Sequence, residues 1–353
     1  MLGGLSHMEN KGEIHSEGSK LKKKKIISNM IKWVMIFGLL LFACIKNKEF
    51  MYSAFVQVKV TPINKIVWCL ILSNLYFLAE GCIISSMTAT GEKKLTILQG
   101  MSCAYMCAFY RLATLGSGNG IAQLYYYNTK GISVSRGTGM ALSQYTFQKI
   151  TIGIMGVLSF FCLVISGETK IMKYYLLMLA GVVVISAICL FLFAVTVSEK
   201  ISQMVINLGK KLIKPEKKLY IQIERGEKAI HSLQEQGRLV WHNRKLFFIV
   251  VILNILKFAC WYAIPGILFT EEYSVNVFLC LAIMAVCNML GCVMVAPSGV
   301  GTLEFVFALL FGTIIPHGEI IAAAIIIYRL FTWILPFIIG LIPATFLKKE
   351  RTI

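Results

Sequence analysis

Charge is scarce in this 353-residue chain. Asp, Glu, Lys and Arg together make up 15% of it, where a soluble domain carries roughly 25%. Acidic residues are the scarcer kind, 17 against 35 basic ones. Also missing are the polar interruptions that divide the apolar runs of soluble proteins. Several runs here extend for about 20 residues, the length at which a helix crosses a bilayer. Lipid supplies no hydrogen bonds, so such runs must be helical or belong to a closed barrel. Barrel strands alternate polar and apolar residues and these runs do not, which leaves membrane helices.

Metal-binding and catalytic constellations are equally sparse. The eleven cysteines lie mostly inside apolar segments (Cys69, Cys82, Cys162, Cys189, Cys260) and include no CxxC pair. Cys103 and Cys107 share a helical face, but two soft ligands do not make a zinc site, and the thiols are read as ordinary buried ones. The five histidines, His7, His15, His231, His242 and His317, are scattered. No Ser–His–Asp set, metal cluster or soluble nucleotide fold is visible, so no cofactor is expected, and the reading leans away from an enzyme. The first 19 residues are polar and have no apolar core, unlike a cleaved signal peptide.

What charge there is sits in blocks outside the apolar runs. Lys20 and Lys22 to Lys25 precede the first run. Lys200, Lys210, Lys211, Lys214, Lys217, Lys218, Arg225, Lys228, Arg238, Arg244 and Lys245 fill one central segment. Lys348, Lys349 and Arg351 lie at the end. A net charge of +18 in a soluble protein would point to nucleic acid. Here the positive-inside rule accounts for it without DNA and places these blocks, with both termini, in the cytoplasm. Lys46, Lys48 and Lys59 would then face outward, against the rule, but the central block carries far more charge.

The expected fold is an all-α polytopic membrane protein. Full spans are predicted at about 26–45, 63–88, 138–166, 171–198, 246–270 and 319–347. Two further apolar regions are broken. One, 95–131, is interrupted by Arg111 and by Gly116-Ser117-Gly118-Asn119-Gly120. The other, 274–315, is interrupted by Pro297-Ser298-Gly299-Val300-Gly301. Backbone of that kind survives at membrane depth only when it is buried in protein or lines a cavity. The charge assignment makes the first segment dip in from the cytoplasm and the second from outside, as an inverted repeat would. The organisation is then a disordered cytoplasmic tail (1–25), a first membrane half (26–198), a basic amphipathic loop on the inner leaflet (199–245), a second membrane half (246–347) and a basic tail (348–353).

Two constellations stand out. In the first, Arg111, Thr114, Gly116, Gly118, Gly120, Gln123 and Tyr126 combine a membrane arginine with alternate glycines whose amides can cradle a phosphate. A tight helix–helix turn with a snorkelling arginine is the plainer reading. In the second, Pro297 stops a helix, Gly299 and Gly301 turn the chain, Thr302 caps the next helix, and Glu304 sits in its first turn. Glu304 either only caps, or offers a cation site and pairs with Arg329, since an arginine in a bilayer needs a partner. Secondary candidates are Glu80 and Gln148, with Asn74, Gln144, Lys149 and Lys257 as further embedded polar residues. Glu80 is expensive to bury, and an inner-interface position near Lys93 and Lys94 would relieve it. The tyrosines at 125–127 read as an interfacial belt.

These residues carry a resemblance. Thr114 to Tyr127 with Lys130-Gly131-Ile132-Ser133 resembles the pattern TPxxxGGxPxQxYYL…GI. Pro297 to Glu304 resembles PGGxGxxE, and Tyr328-Arg329 with Pro336 and Gly340 resembles the xR…P…G that comes next. Together they are similar to the lysylphosphatidylglycerol synthase/flippase transmembrane family, the membrane module of multiple peptide resistance factors, over roughly 26–347. Leu115 stands where that pattern has proline, and Asn119 and Ala122 replace a glycine and a proline. The resemblance implies a bacterial plasma-membrane protein whose ligand is phosphatidylglycerol or its lysyl form. It implies flippase-like movement of the lipid to the outer leaflet and resistance to cationic antimicrobial peptides. Family members with a soluble synthase domain move lysine from lysyl-tRNA to the lipid, and that domain is not expected in this sequence. The alternatives are a phosphatidylglycerol lysyltransferase or a regulatory membrane subunit of a separate synthase; the protein partners considered are that synthase and a second copy of the chain, as a homo-oligomer.

Overall fold

The computed structural model describes residues 48–349 apart from 92, 115, 117, 168, 213–216, 274 and 295–300. The predicted span at 26–45 and the site candidates Pro297 and Gly299 lie outside the described residues. The chain divides into two units, 1–57 and 58–353. Helix α1 (Lys48–Val60) runs across that boundary. Among the described residues, the second unit holds every other helix.

That unit is helical throughout, with no strand among the described residues. Among the described residues five helices are long and apolar enough to cross a membrane: α2 (Ile63–Thr88), α5 (Val134–Ile165), α7 (Tyr175–Val197), the apolar part of α10 (Arg244–Tyr273), and a last segment joining α13 (Gly318–Arg329) to α14 (Leu335–Lys349). They match the five predicted spans within the described residues, and the chain is a multi-pass α-helical membrane protein. Both broken segments are broken. The first is α3 (Ile97–Ala113) and α4 (Asn119–Thr129), and the second is α11 (Val277–Val293) and α12 (Thr302–Phe311). A four-residue turn of helix, α6 (Thr169–Met172), links α5 to α7.

The first broken pair is a hairpin that starts and finishes at one end of the bundle. A capping box opens α3: the Gln99 amide donates to Thr96 Oγ1 (3.2 Å) and the Thr96 amide to Gln99 Oε1 (3.0 Å). That start is tied to the end of α2, where Ser85 Oγ donates to the Leu95 carbonyl (2.8 Å) and the Leu95 amide to Thr88 Oγ1 (3.1 Å). The exit of α4 returns to the same place, because Gly131 lies beside Lys93 and Arg136 reaches Thr90 Oγ1 (3.2 Å). This end carries α8 (Glu199–Leu212) and α9 (Lys217–His242). Here Ser232 meets Ser135 (2.9 Å), and Gln234 donates to the carbonyls of Val195 (3.1 Å) and Ser198 (3.3 Å). The predicted amphipathic helices therefore exist and pack on α5 and α7.

The second pair opens at the opposite end. Lys65 Nζ donates to the Leu268 carbonyl (3.1 Å), so the start of α2 lies by the end of α10. There Gly266 faces Val277 at the start of α11. Inside the bundle, Cys292 at the end of α11 meets Lys149, halfway along α5. Helix α12 then runs back toward Phe269, whose ring lies 5.3 Å from that of Phe311. The two hairpins thus enter from opposite ends.

Glycine sets how closely the helices approach. A Cβ at Gly100 would strike the Gly81 carbonyl oxygen, and one at Gly81 would sit 2.9 Å from the Ile97 carbonyl oxygen. A Cβ at Gly340 would strike the Tyr105 carbonyl oxygen. Helix α3 is therefore clasped by α2 and α14 through bare backbone, the small-residue packing that holds membrane helices together.

Gly100→Leu and Gly340→Leu should each destabilise by about 1–3 kcal/mol or more, read as a lower thermal unfolding midpoint in detergent, whereas Gly226→Leu, in open space, should be silent. Single cysteines at 130 and 200 should react with an impermeant maleimide from one side of the membrane and a cysteine at 173 from the other. Labelling of all three from one side would contradict the hairpin geometry.

Candidate functional site

The glycine-rich turn between α3 and α4 is closed by its own residues. The Gly116 amide donates to the Arg111 carbonyl (2.7 Å) and Gly116 has φ +93°, a conformation open to glycine. Thr114 Oγ1 accepts the Gly118 amide (2.6 Å) and lies where a Gly118 side chain would be. Thr114 and Gly118 therefore shape the turn. Arg111, Gly116, Gly120 and Gln123 line a cavity of about 280 Å³. Its other walls are Tyr76, Phe77, Glu80 and Ile84 of α2, Ala104, Cys107 and Ala108 of α3, and Gln144, Tyr145 and Gln148 of α5. The sequence candidates Glu80 and Gln148 thus join the first motif in one chamber.

Glu80 is the hub of that chamber. Its Oε2 accepts Lys257 Nζ of α10 at 2.5 Å, and its Oε1 accepts the side-chain amides of Gln144 (2.6 Å) and Gln148 (2.9 Å). Gln123 extends the network, donating to Gln144 Oε1 (2.7 Å) and to the Tyr127 hydroxyl (3.0 Å). The Lys257 side chain is 0% exposed and that of Glu80 is 12% exposed. Lys257 also lies over the rings of Phe258 (5.1 Å) and Tyr76 (5.6 Å), and Tyr76 stacks on Trp261 at 3.6 Å. Glu80 therefore does not sit at an interface near Lys93 and Lys94. A lysine from the other half of the chain stabilises it inside the bundle, as a buried charge requires.

The second constellation forms around Glu304. Its Oε2 accepts the Gly301 amide (2.8 Å) and its Oε1 accepts Arg329 Nε (2.6 Å). Capping and ion pairing, alternatives on the sequence alone, are both performed by one carboxylate. Gly301, at φ +89°, is the N-cap of α12, and Thr302 is its first helical residue instead of its cap. The Arg329 and Glu304 side chains are 15% and 26% exposed.

Trp333 joins the two constellations, and the sequence reading missed it. The Arg329 guanidinium lies 4.2 Å from its ring centroid and that of Arg111 lies 5.6 Å away. Trp333 belongs to a π-helical turn, Leu330–Ile334. Ser73 of α2 donates to the Phe331 carbonyl there (2.5 Å), supporting the irregular turn as such insertions require. The four-residue spacing from Arg329 to Trp333 was the available signal. Lys257 was also missed as a partner, although it is the one charge inside the span predicted at 246–270.

Tyr126 is not among the residues that line the cavity. It and Tyr127 are buried in the core, and Lys130 lies 5.9 Å from the Tyr126 ring. These two tyrosines do not form the expected interfacial belt, because α4 folds back into the bundle. Chemically, the site offers paired charges, amide groups and the Arg111 guanidinium to a polar ligand inside an apolar bundle. Among the described residues no group of three or more metal-ligating side chains occurs.

Breaking either pair singly should cost more than breaking it doubly. Glu80→Gln leaves a buried ammonium and should destabilise by about 3–5 kcal/mol, and adding Lys257→Met should recover most of that. A double-mutant cycle on Glu304→Gln and Arg329→Gln should show coupling above about 0.5 kcal/mol, and strict additivity would contradict the pair.

No curated protein matches the chain. A family profile described as the lysylphosphatidylglycerol synthase TM region matches residues 30–340, which takes in both hairpins, the cavity and the Glu304–Arg329 pair. That gives the chain a membrane-embedded role in lysylphosphatidylglycerol synthesis or translocation. The chain belongs to the lysylphosphatidylglycerol synthase transmembrane-region family.

Proposed function

We propose that the chain moves a phospholipid of the phosphatidylglycerol class, anionic or aminoacylated, between the leaflets of a bacterial plasma membrane, as a flippase. The observation that carries this reading is the cavity beside the Arg111–Trp333–Arg329 contact, through which the first hairpin is linked to Glu304 at the start of α12. Transporters place their substrate between such segments, and alternating access rocks one repeat against the other around the site. The order long helix, broken pair, long helix occurs twice, from α2 to α5 and from α10 to α14, with α7 standing outside it, which supports an inverted repeat. A headgroup phosphate would lie toward Arg111 and the amides at the start of α4, which favour an anion. The face bearing α8 and α9 would be cytoplasmic, because it carries the largest basic block. In the cell, moving lysyl lipid outward would lower the attraction of the outer leaflet for cationic antimicrobial peptides.

The test is leaflet-resolved. Liposomes holding the purified chain and an acyl-chain-labelled phosphatidylglycerol or lysylphosphatidylglycerol should expose inner-leaflet label to an external quencher faster than protein-free liposomes do. Arg111→Gln and Glu80→Gln should each slow this by about tenfold, the equivalent of about 1.4 kcal/mol in the barrier. Equal rates with and without protein for every phospholipid would sink the reading.

A further inference from the structure

An ammonium at membrane depth needs a counter-charge, and one lysine of this chain meets a thiol where a carboxylate would be expected. Lys149 stands halfway along α5, one of the helices long enough to span. Its Nζ donates to Cys292 Sγ at 3.3 Å, near the end of α11. The Tyr145 ring lies 5.4 Å from the same ammonium. Among the described residues no Asp or Glu forms an ion pair with Lys149. We propose that Cys292 supplies the missing charge as a thiolate held by Lys149, and that this sulfur is a site of oxidation by peroxides.

Helices α5, α7 and α11 converge on the contact. A Cβ at Gly156 of α5 would run into Met289, and one at Gly181 of α7 would run into Leu290, so α11 enters between the two helices on bare backbone. Less than a turn further on, Cys292 reaches Lys149. From α7, Cys189 Sγ lies 3.7 Å from the Lys149 carbonyl oxygen and fills the space that a Gly153 side chain would need. The lysine is thus held in place by its surroundings, and its ammonium is aimed at one sulfur. Cys292 is partly exposed, so a small uncharged oxidant such as hydrogen peroxide has access to it. The other thiols lack this combination. Cys69, Cys103, Cys107, Cys280 and Cys287 are buried. Cys162 is exposed, but among the described residues Cys292 is the thiol that accepts from a lysine.

The chemistry closes on these two groups and one peroxide. The thiolate attacks a peroxide oxygen, and the S–O bond forms as the O–O bond breaks. The departing hydroxide takes a proton from the Lys149 ammonium. Sulfur loses two electrons and the peroxide gains them, leaving a sulfenic acid, water and a neutral lysine amine. A cation beside an accessible sulfur is the setting in which a cysteine becomes reactive, whereas thiols buried in apolar surroundings stay inert. Oxidation removes both charges, so the attraction between the end of α11 and the middle of α5 is lost. The site is therefore a point at which an oxidant would act on the second hairpin, whatever the chain carries.

The test follows the sulfur itself. The purified chain in detergent is exposed to hydrogen peroxide, and the loss of each free thiol is measured by alkylation and peptide mass analysis. Cys292 should be lost at least about tenfold faster than Cys162, because an ordinary thiol is only a few per cent thiolate near neutrality. Accessibility alone predicts the reverse order, since Cys162 is the exposed one. Lys149→Met should slow Cys292 to the rate of Cys82 and Cys260, which are also partly exposed, and Lys149→Arg should keep most of the fast reaction. In a Cys189→Ser chain, where that neighbouring thiol cannot consume the product, dimedone should trap Cys292 as its sulfenic-acid adduct. Should Lys149→Met fail to fold, the order of Cys292 and Cys162 in the unaltered chain decides. Cys292 reacting no faster than Cys162 overturns the proposal, as does a fast reaction that persists in Lys149→Met. Loss of the Cys292 thiol with no trapped adduct overturns the peroxide step. None of these outcomes depends on whether the chain moves a lipid, so the transport reading stands or falls separately.

Discussion

A carboxylate inside a bilayer must be answered by a cation, and the Glu80–Lys257 pair is the answer on which this architecture turns. Its members come from α2 and α10, which lie far apart in sequence and pack along each other. Desolvating two charges is costly, and the geometry offsets that by giving each carboxylate oxygen at least one donor. With α2 and α10 locked in this register, the space between α2, α3, α4 and α5 is fixed. The side chains that line it cannot turn toward lipid without opening the network.

The second requirement is that irregular backbone be sheltered. Two hairpin breaks and a π-helical turn would each leave polar groups exposed in hydrocarbon, where they cannot be satisfied. The fold gathers them. Thr114 closes the first break, Glu304 takes up the amide at the edge of the second, and Ser73 serves the π turn. Trp333 stands between the two arginines that belong to these regions. Its indole face accepts both guanidinium groups by cation–π attraction, a contact that gains strength away from water. Displacement of Arg111 toward an anion would therefore be felt by Arg329 and by the hairpin that Glu304 caps.

Spans and breaks were legible because they rest on local rules. A run of apolar residues with no partner for its backbone must be a helix, so the expected 63–88 and the observed Ile63–Thr88 coincide. The glycine cluster at 116–120 ends a helix, although Gly137 and Gly139 are carried inside α5. Glu304 is a candidate partner for Arg329, beside its capping role, because embedded charges are so few. Depth and partner choice were harder to read. Glu80 has two lysines a dozen residues onward, and these suggested an interface, while its actual partner lies 177 positions away. Tyr126 and Tyr127 have the composition of a belt, and only the return of α4 into the bundle buries them. The spacing of Arg329 and Trp333 hinted at their contact, but the reach from Trp333 to Arg111 is a tertiary relation that local spacing does not carry.

The π-helical turn that carries Trp333 fixes the angular relation between the two parts of the last span. Each residue of a helix turns the next by about 100°, and a π turn absorbs one extra residue within Leu330–Ile334. Upstream of it Arg329 faces Glu304. Downstream, Gly340 presents bare backbone to Tyr105. The two faces agree only because the extra residue is there. Loss of a single residue from this turn would leave composition and hydropathy almost unchanged. It would nevertheless rotate α14 by about a quarter of a revolution relative to α13, swinging Gly340 out of the clasp and a bulkier neighbour into it. The reading frame of this helix is thus a structural quantity in its own right, and in this segment homologous chains can exchange side chains far more freely than they can change length.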